Sequence, residues 1–226
     1  MKRVITALLA ALLVLSLAAC GSGVETKKLA GTWTCTIDVT DRMNAAAEQA
    51  LGLSAADGTA QMPLQLVLTV AEDGAYTLRY DSDAVRTALD AYAAALHPAA
   101  VESVYAAAEE QGFSREEYDA AMEKAGITMD DMVAAIFAGV DEEELLSLLT
   151  GRSAALTGYC RAEGGQLYLA DTAAELAETA DCLSYTLSDG TMTWTDAQGE
   201  FSSQLTEQEQ ELLRVPLTWT KQEESK

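Results

Sequence analysis

Apolar and polar residues alternate along much of the chain, and the alternation comes in short runs separated by turn residues. From Leu29 to Thr40, Trp33, Cys35, Ile37 and Val39 share one parity and Thr34, Thr36, Asp38 and Thr40 the other, as in a strand buried on one face only. A helix-prone stretch, Asp41 to Leu53, separates it from a second alternating run at Leu64, Leu66, Leu68 and Val70. Glu72-Asp73-Gly74 then supplies a turn, and the return strand sets Tyr76, Leu78 and Tyr80 inward, which predicts a hairpin. Alternation resumes near Gly158: Tyr159-Cys160-Arg161 runs through Glu163-Gly164-Gly165 into Gln166-Leu167-Tyr168-Leu169. Leu183, Tyr185 and Leu187 lead through Ser188-Asp189-Gly190 to Met192 and Trp194, and Val215 to Thr220 closes the series, giving eight candidate strands. By parity, Trp33, Trp194 and Trp219 point inward with Tyr76, Tyr80, Tyr159 and Tyr185.

Strands that are apolar on one face leave unpaired backbone at the edges of an open sheet, and pairing the first strand with the last removes those edges. The expected fold class is therefore mainly β with a helical insertion (α+β): an eight-stranded antiparallel up-and-down barrel. The insertion, residues 81–152, lies between the third and fourth strands and shows helical spacing throughout. Val85, Leu89, Tyr92 and Leu96 form one face, and Val101, Val104, Tyr105 and Ala108 a second. Ser114-Arg115-Glu116-Glu117 is a capping box, Thr128 precedes Asp131 with the same spacing, and Asp141 to Glu144 leads a leucine-rich segment. Five short helices are expected, with His97-Pro98 ending the first.

The N-terminus has a different pattern. Met1-Lys2-Arg3 is a cationic head, Val4 to Ala19 is uncharged and rich in Leu and Ala, and Leu17-Ala18-Ala19-Cys20 precedes Gly21-Ser22-Gly23. These residues resemble the lipobox of bacterial prolipoproteins. An apolar run partitions into the membrane, small residues fit the peptidase, and a thiol takes up the diacylglycerol. The resemblance implies a cleaved signal over residues 1–19, and a lipidated Cys20 with a polar tether over residues 20–28. The barrel then occupies residues 29–222. The apolar run is short for a spanning helix, which needs roughly 20 residues. The expected location is extracytoplasmic, on the outer face of the cell membrane, held by the diacylglyceryl anchor.

Gly31-Thr32-Trp33, Gly158-Tyr159, Leu167-Tyr168-Leu169, Asp189-Gly190-Thr191-Met192-Thr193-Trp194 and Leu217-Thr218-Trp219-Thr220 resemble stretches of the small lipocalin-like barrels found in lipoproteins of Firmicutes. The resemblance covers Leu29 to Tyr80 and Thr157 to Lys221. It implies a barrel and suggests an apolar pocket floored by Trp33, but fold does not dictate activity.

Charge narrows the partners. The chain holds 14 Lys plus Arg against 36 Asp plus Glu. Without Lys2 and Arg3 the remainder has 12 bases against 36 acids, a net −24 before its single histidine. Such a chain repels nucleic acid and anionic headgroups, so nucleic-acid binding is not expected. Catalytic residues, cofactors and metals are not expected either. His97 has no supporting motif, and no metalloprotease, phosphate-loop or dinucleotide signature occurs. The carboxylate runs at Asp81 and Asp83, Asp130-Asp131 and Asp141 to Glu144 stand at helix starts, where acids favour the positive end of the macrodipole; none has the spacing of a calcium loop. Cys35, Cys160 and Cys182 allow at most one internal disulfide, and for Cys160 with Cys182 another strand should intervene.

Two functional expectations follow. In the first, a small apolar or amphiphilic ligand binds in the barrel or at its rim, with Trp33, Tyr76, Trp194 and Trp219 as ligand-binding residues. In the second, the barrel is packed solid and the helical insertion docks another envelope protein. Both require the anchor. Cys20→Ser should abolish incorporation of labelled palmitate and release of the signal; a Cys20→Ser protein that still takes up label overturns the lipobox reading.

Overall fold

The computed structural model describes residues 24–53, 60–137, 143, 145–147, 155–179, 182–198 and 207–223. The strands are β1 (Gly31–Asp38), β2 (Pro63–Val70), β3 (Ala75–Tyr80), β4 (Leu156–Glu163), β5 (Gln166–Ala170), β6 (Cys182–Ser188), β7 (Thr191–Gln198) and β8 (Leu217–Lys221). They follow one another around a closed antiparallel barrel, the α+β up-and-down architecture expected from the pattern. Closure pairs Trp33 with Lys221 and Thr34 with Thr220. Just beyond β8, the Gln222 amide donates to the Thr32 carbonyl at 2.8 Å, and its Nε2 donates to Thr34 Oγ1 at 2.7 Å.

Two hairpins turn on residue pairs with positive φ: Gly164 (60°) with Gly165 (77°), and Asp189 (45°) with Gly190 (76°). That backbone twist matches the strand twist, which is why Gly-Gly and Asp-Gly stand there.

The chain divides into two compact units, one drawn from Met1–Cys35, Leu66–Tyr80 and Ala154–Lys226, the other from Thr36–Gln65 and Asp81–Ser153. In the first, the barrel unit, inward positions are filled by large side chains. Trp33, Leu66, Leu183, Met192 and Trp219 are each at most 1% exposed. The rings of Trp194 and Trp219 lie 4.8 Å apart at 47°. Trp33 donates its indole N–H to the Leu29 carbonyl at 2.8 Å, and the Lys221 ammonium lies 5.2 Å from its ring centre.

Inward parity holds for Tyr76 and Leu78 but not for Tyr159, which is half-buried; Leu156, Gly158, Cys160 and Ala162 are the buried positions of β4. The reason lies opposite Gly158. Its register partner is Tyr76, and a Cβ on Gly158 would meet the Tyr76 ring at 2.9 Å and collide with the Ala170 carbonyl. Tyr76 occupies the interior at this level, so β4 must present its glycine there. Because side chains alternate strictly, that one placement turns Tyr159 outward and Cys160 inward. Tyr80 and Tyr185 are likewise only half-buried, the latter beside a register shift between Ser184 and Tyr185.

The segment before β1 is more than a tether. Residues 24–29 form a helical turn, α1. In it, Thr26 Oγ1 accepts from the Ala162 amide at 3.0 Å and the Glu25 carboxylate accepts from the Gly164 amide at 2.7 Å. Leu29 is 1% exposed. The signal, Cys20 and residues 21–23 lie outside the described residues.

The second unit holds α2 (Thr40–Leu51), α3 (Ser82–Glu110), α4 (Arg115–Ala125) and α5 (Met129–Phe137). Three of the expected start signals work as read; the one at Asp141 to Glu144 falls outside the described residues except for Glu143. Asp81 accepts from the Ala84 amide, Ser114 and Glu117 form a reciprocal capping box, and Thr128 and Asp131 exchange side-chain bonds with each other's amides. Gly52 and Gly126 end α2 and α4 in the left-handed conformation. Tyr92 ties α3 to α2 by donating to Asn44 Oδ1 at 2.8 Å. Of the expected fifth helix, Glu143 and Leu145 to Ser147 are helical, with Leu145 and Leu146 buried; the rest falls outside the described residues.

Pro98 does not end a helix. α3 runs through it for 29 residues, so His97 is mid-helix rather than a terminator. Val85, Ala88, Tyr92, Leu96, Ala100 and Ala108 form one buried stripe that continues across the proline. Burial of that stripe outweighs a cost of about 3 kcal/mol for proline relative to alanine. Pro98 itself is exposed. Pro98→Ala should therefore stabilise the protein, by up to about 3 kcal/mol in denaturant unfolding; a loss of stability would mean the packing depends on the proline.

Candidate functional site

Two places can be weighed as sites: the barrel interior and the surface of the helical unit. All four residues expected to meet a ligand, Trp33, Tyr76, Trp194 and Trp219, are buried in the barrel unit. Tyr76 and Trp194 border an interior void with Leu68, Leu78, Cys160 and Leu169, whereas Trp33 and Trp219 do not line it. The void measures about 20 Å³, room for roughly one water, and its apolar lining offers a water no partner. A pocket for a small organic ligand spans some 300–1,000 Å³. The described void is too small for such a ligand.

The barrel's three cysteines are buried. Cys35, Cys160 and Cys182 are thiols with no disulfide among them, and β5 separates Cys160 from Cys182 as expected. Burial pushes Cys35 up to about 11, a backbone hydrogen bond from Thr218 offsetting part of the effect. Burial, then the Asp73 carboxylate, pushes Cys160 up to about 12. Neither supplies thiolate at neutral pH, the form needed for nucleophilic attack.

The helical unit presents the larger concavity. Ala93, Ala94 and His97 on α3 face Asp130, Val133, Ala134 and Phe137 on α5 across a solvent-open groove of about 560 Å³. On α5 these positions are spaced by three, four and seven residues, one helix face. Its floor is anchored: Val133 is 2% exposed and clusters with Leu53 and Ala100, and Val101, Ile136 and Phe137 pack against that cluster. His97 Nε2 lies 3.0 Å from Asp130 Oδ1 at the groove, with the two side chains 40% and 86% exposed.

A histidine beside a carboxylate in a cleft invites a catalytic reading. The groove lining contains no Ser, Thr or Cys to serve as nucleophile. Asp130 sits largely in water, where an ion pair is worth about 0–1 kcal/mol and orients an imidazole weakly. The pair bridges α3 and α5 at the surface.

A second surface network joins α3 to α4. Arg115 reaches Glu102 at 2.7 and 3.1 Å and Glu109 at 3.3 Å, and its guanidinium stacks 4.6 Å from the Tyr105 ring centre. Tyr105 donates to Asp119 at 2.8 Å. Hydrogen bonding to Arg115, and then its charge, holds the Glu102 carboxyl below its ordinary value; the Asp119 hydrogen bond raises the Tyr105 phenol. The carboxylates at the helix starts behave as caps: bonds from Ser114 lower Glu117, and bonds from Thr128 lower Asp131. Among the described residues no group of three or more His, Cys, Asp or Glu could hold a metal ion, and no helix is long and apolar enough to cross a membrane.

The molecule is thus a closed eight-stranded up-and-down barrel with a helical insertion. Compared with known protein families, curated proteins and solved structures, the chain shows no match.

Proposed function

We propose that this chain is a lipid-anchored, extracytoplasmic, non-enzymatic protein whose barrel is a packed scaffold and whose helical insertion, residues 81–152, docks another envelope protein. The contrast between an interior void of about 20 Å³ and an open groove of about 560 Å³ carries the docking reading. A ligand inside the barrel would have to displace large buried side chains such as Trp194 and Trp219. Groove-type recognition of a helix asks for no such rearrangement. The anchor rests on Leu17-Ala18-Ala19-Cys20 and the apolar run before it. The acidity of the chain keeps the protein off anionic headgroups while its lipid holds it at the membrane.

A photoreactive amino acid at exposed positions in living host cells tests the docking reading. Ala94 and Phe113 sample the helical unit, and Thr186 and Thr218 the barrel. Adducts of one discrete size are expected from the helical positions and not from the strands. Adducts from the strand positions alone would overturn the assignment.

A further inference from the structure

We propose that the α3–α5 groove receives a cationic amphipathic helix of the envelope partner; this rests on the docking reading above and names its site and the chemistry of its occupant. Shape and charge both point there. Ala93, Ala94 and Ala134 put only methyl groups into the groove, which lets a second helix approach at the close end of the usual 8–10 Å spacing. From Asp130 to Phe137 the α5 wall extends seven residues, about two turns. An occupant can therefore seat apolar side chains at i, i+3 or i+4, and i+7 against Phe137 and the alanine methyls, over a floor at Val133.

The charge on the two walls has one sign. α3 and α5 together carry seven acids and a single arginine, Arg86, which lies eleven residues, about three turns, before His97. Asp90 lies three and four residues before Ala93 and Ala94, on the same helix face, and Asp130 borders the groove directly. Arg115, the base that joins α3 to α4, is already engaged by Glu102 and Glu109. Asp130 is 86% exposed and its neutralising neighbour, His97, carries a full charge only when protonated. A lysine or arginine flanking the apolar anchors would pair with Asp130 and Asp90, whereas an acidic helix would be repelled.

The test is a calorimetric titration of the full chain, expressed with its signal and purified in detergent, at physiological salt. The probe is a Lys/Leu amphipathic helical peptide of about 14 residues, long enough to span the groove, compared with its Glu/Leu counterpart. Ala134→Trp fills the groove and Ala107→Trp places the same bulk at an exposed α3 position outside the groove lining. Matching thermal unfolding establishes that both variants are folded. The expected result is binding of the Lys/Leu peptide only, weakened roughly tenfold or more by Ala134→Trp, as for loss of a central contact, and unchanged by Ala107→Trp. Asp130→Asn should weaken it a few-fold, as for a rim charge. Absence of Lys/Leu binding, or equal binding to wild type and Ala134→Trp, overturns the groove assignment. Cross-linking from Phe113 separates this from failure of the docking reading: adducts that persist while the groove variants have no effect sink the groove alone, and absence of adducts from every helical position sinks both.

Discussion

The interior of an eight-stranded barrel is just wide enough to be filled by side chains or to hold one small ligand, and the described residues of this chain put large side chains into it. Trp33, Trp194 and Trp219 bring all three of its indoles inside, with Met192, Leu66 and Leu183 around them. Removing a buried aromatic side chain costs about 3–5 kcal/mol, a large part of the 5–15 kcal/mol that holds a typical domain folded. The filling therefore governs the rest of the barrel. It demands closure, since Trp33 and Trp219 stand on the first and last strands and are brought inside one barrel by the β1–β8 pairing. It also bears on which face of β4 turns inward, because the Ala170 carbonyl and the Tyr76 ring together leave room only for a glycine at position 158.

Much of this was legible in the alternation of residues. Every strand appears where period-two patterning placed it, and Gly164-Gly165 and Asp189-Gly190 turn the hairpins they were read to turn. Ser114 with Glu117 and Thr128 with Asp131 begin helices as read, because a capping box is a local interaction that needs no knowledge of the fold. The misreadings share one cause, a local rule overridden by tertiary packing. Proline was expected to stop a helix, yet the buried stripe from Val85 to Ala108 carries α3 through Pro98. Tyr159 was expected inside by parity, yet the β4 register is decided across the sheet, where the Ala170 carbonyl and the Tyr76 ring crowd Gly158. The short helices Ala173–Leu176 and Glu207–Leu212, and the turn at residues 24–29, are too brief for a period to show.

The candidate site was the least legible part. His97 and Asp130 are 33 residues apart in sequence and belong to helices whose relative placement no spacing rule predicts. The aromatic residues expected as ligand contacts are buried in the barrel, while three of the seven residues lining the groove are alanines, which carry no chemical signal of their own. Small side chains matter there because they leave space, and the acids around them matter because few bases answer them. Function, on this account, moves from the barrel's interior to the surface of its helical insertion.

On the proposed reading the barrel binds no molecule beyond its own side chains. Native mass spectrometry of the protein isolated gently from its host envelope tests it most directly. The expected mass is that of the polypeptide with its covalent lipid and no further adduct. A small apolar molecule retained in stoichiometric amount, and exchangeable for an added lipid or fatty acid, would contradict it.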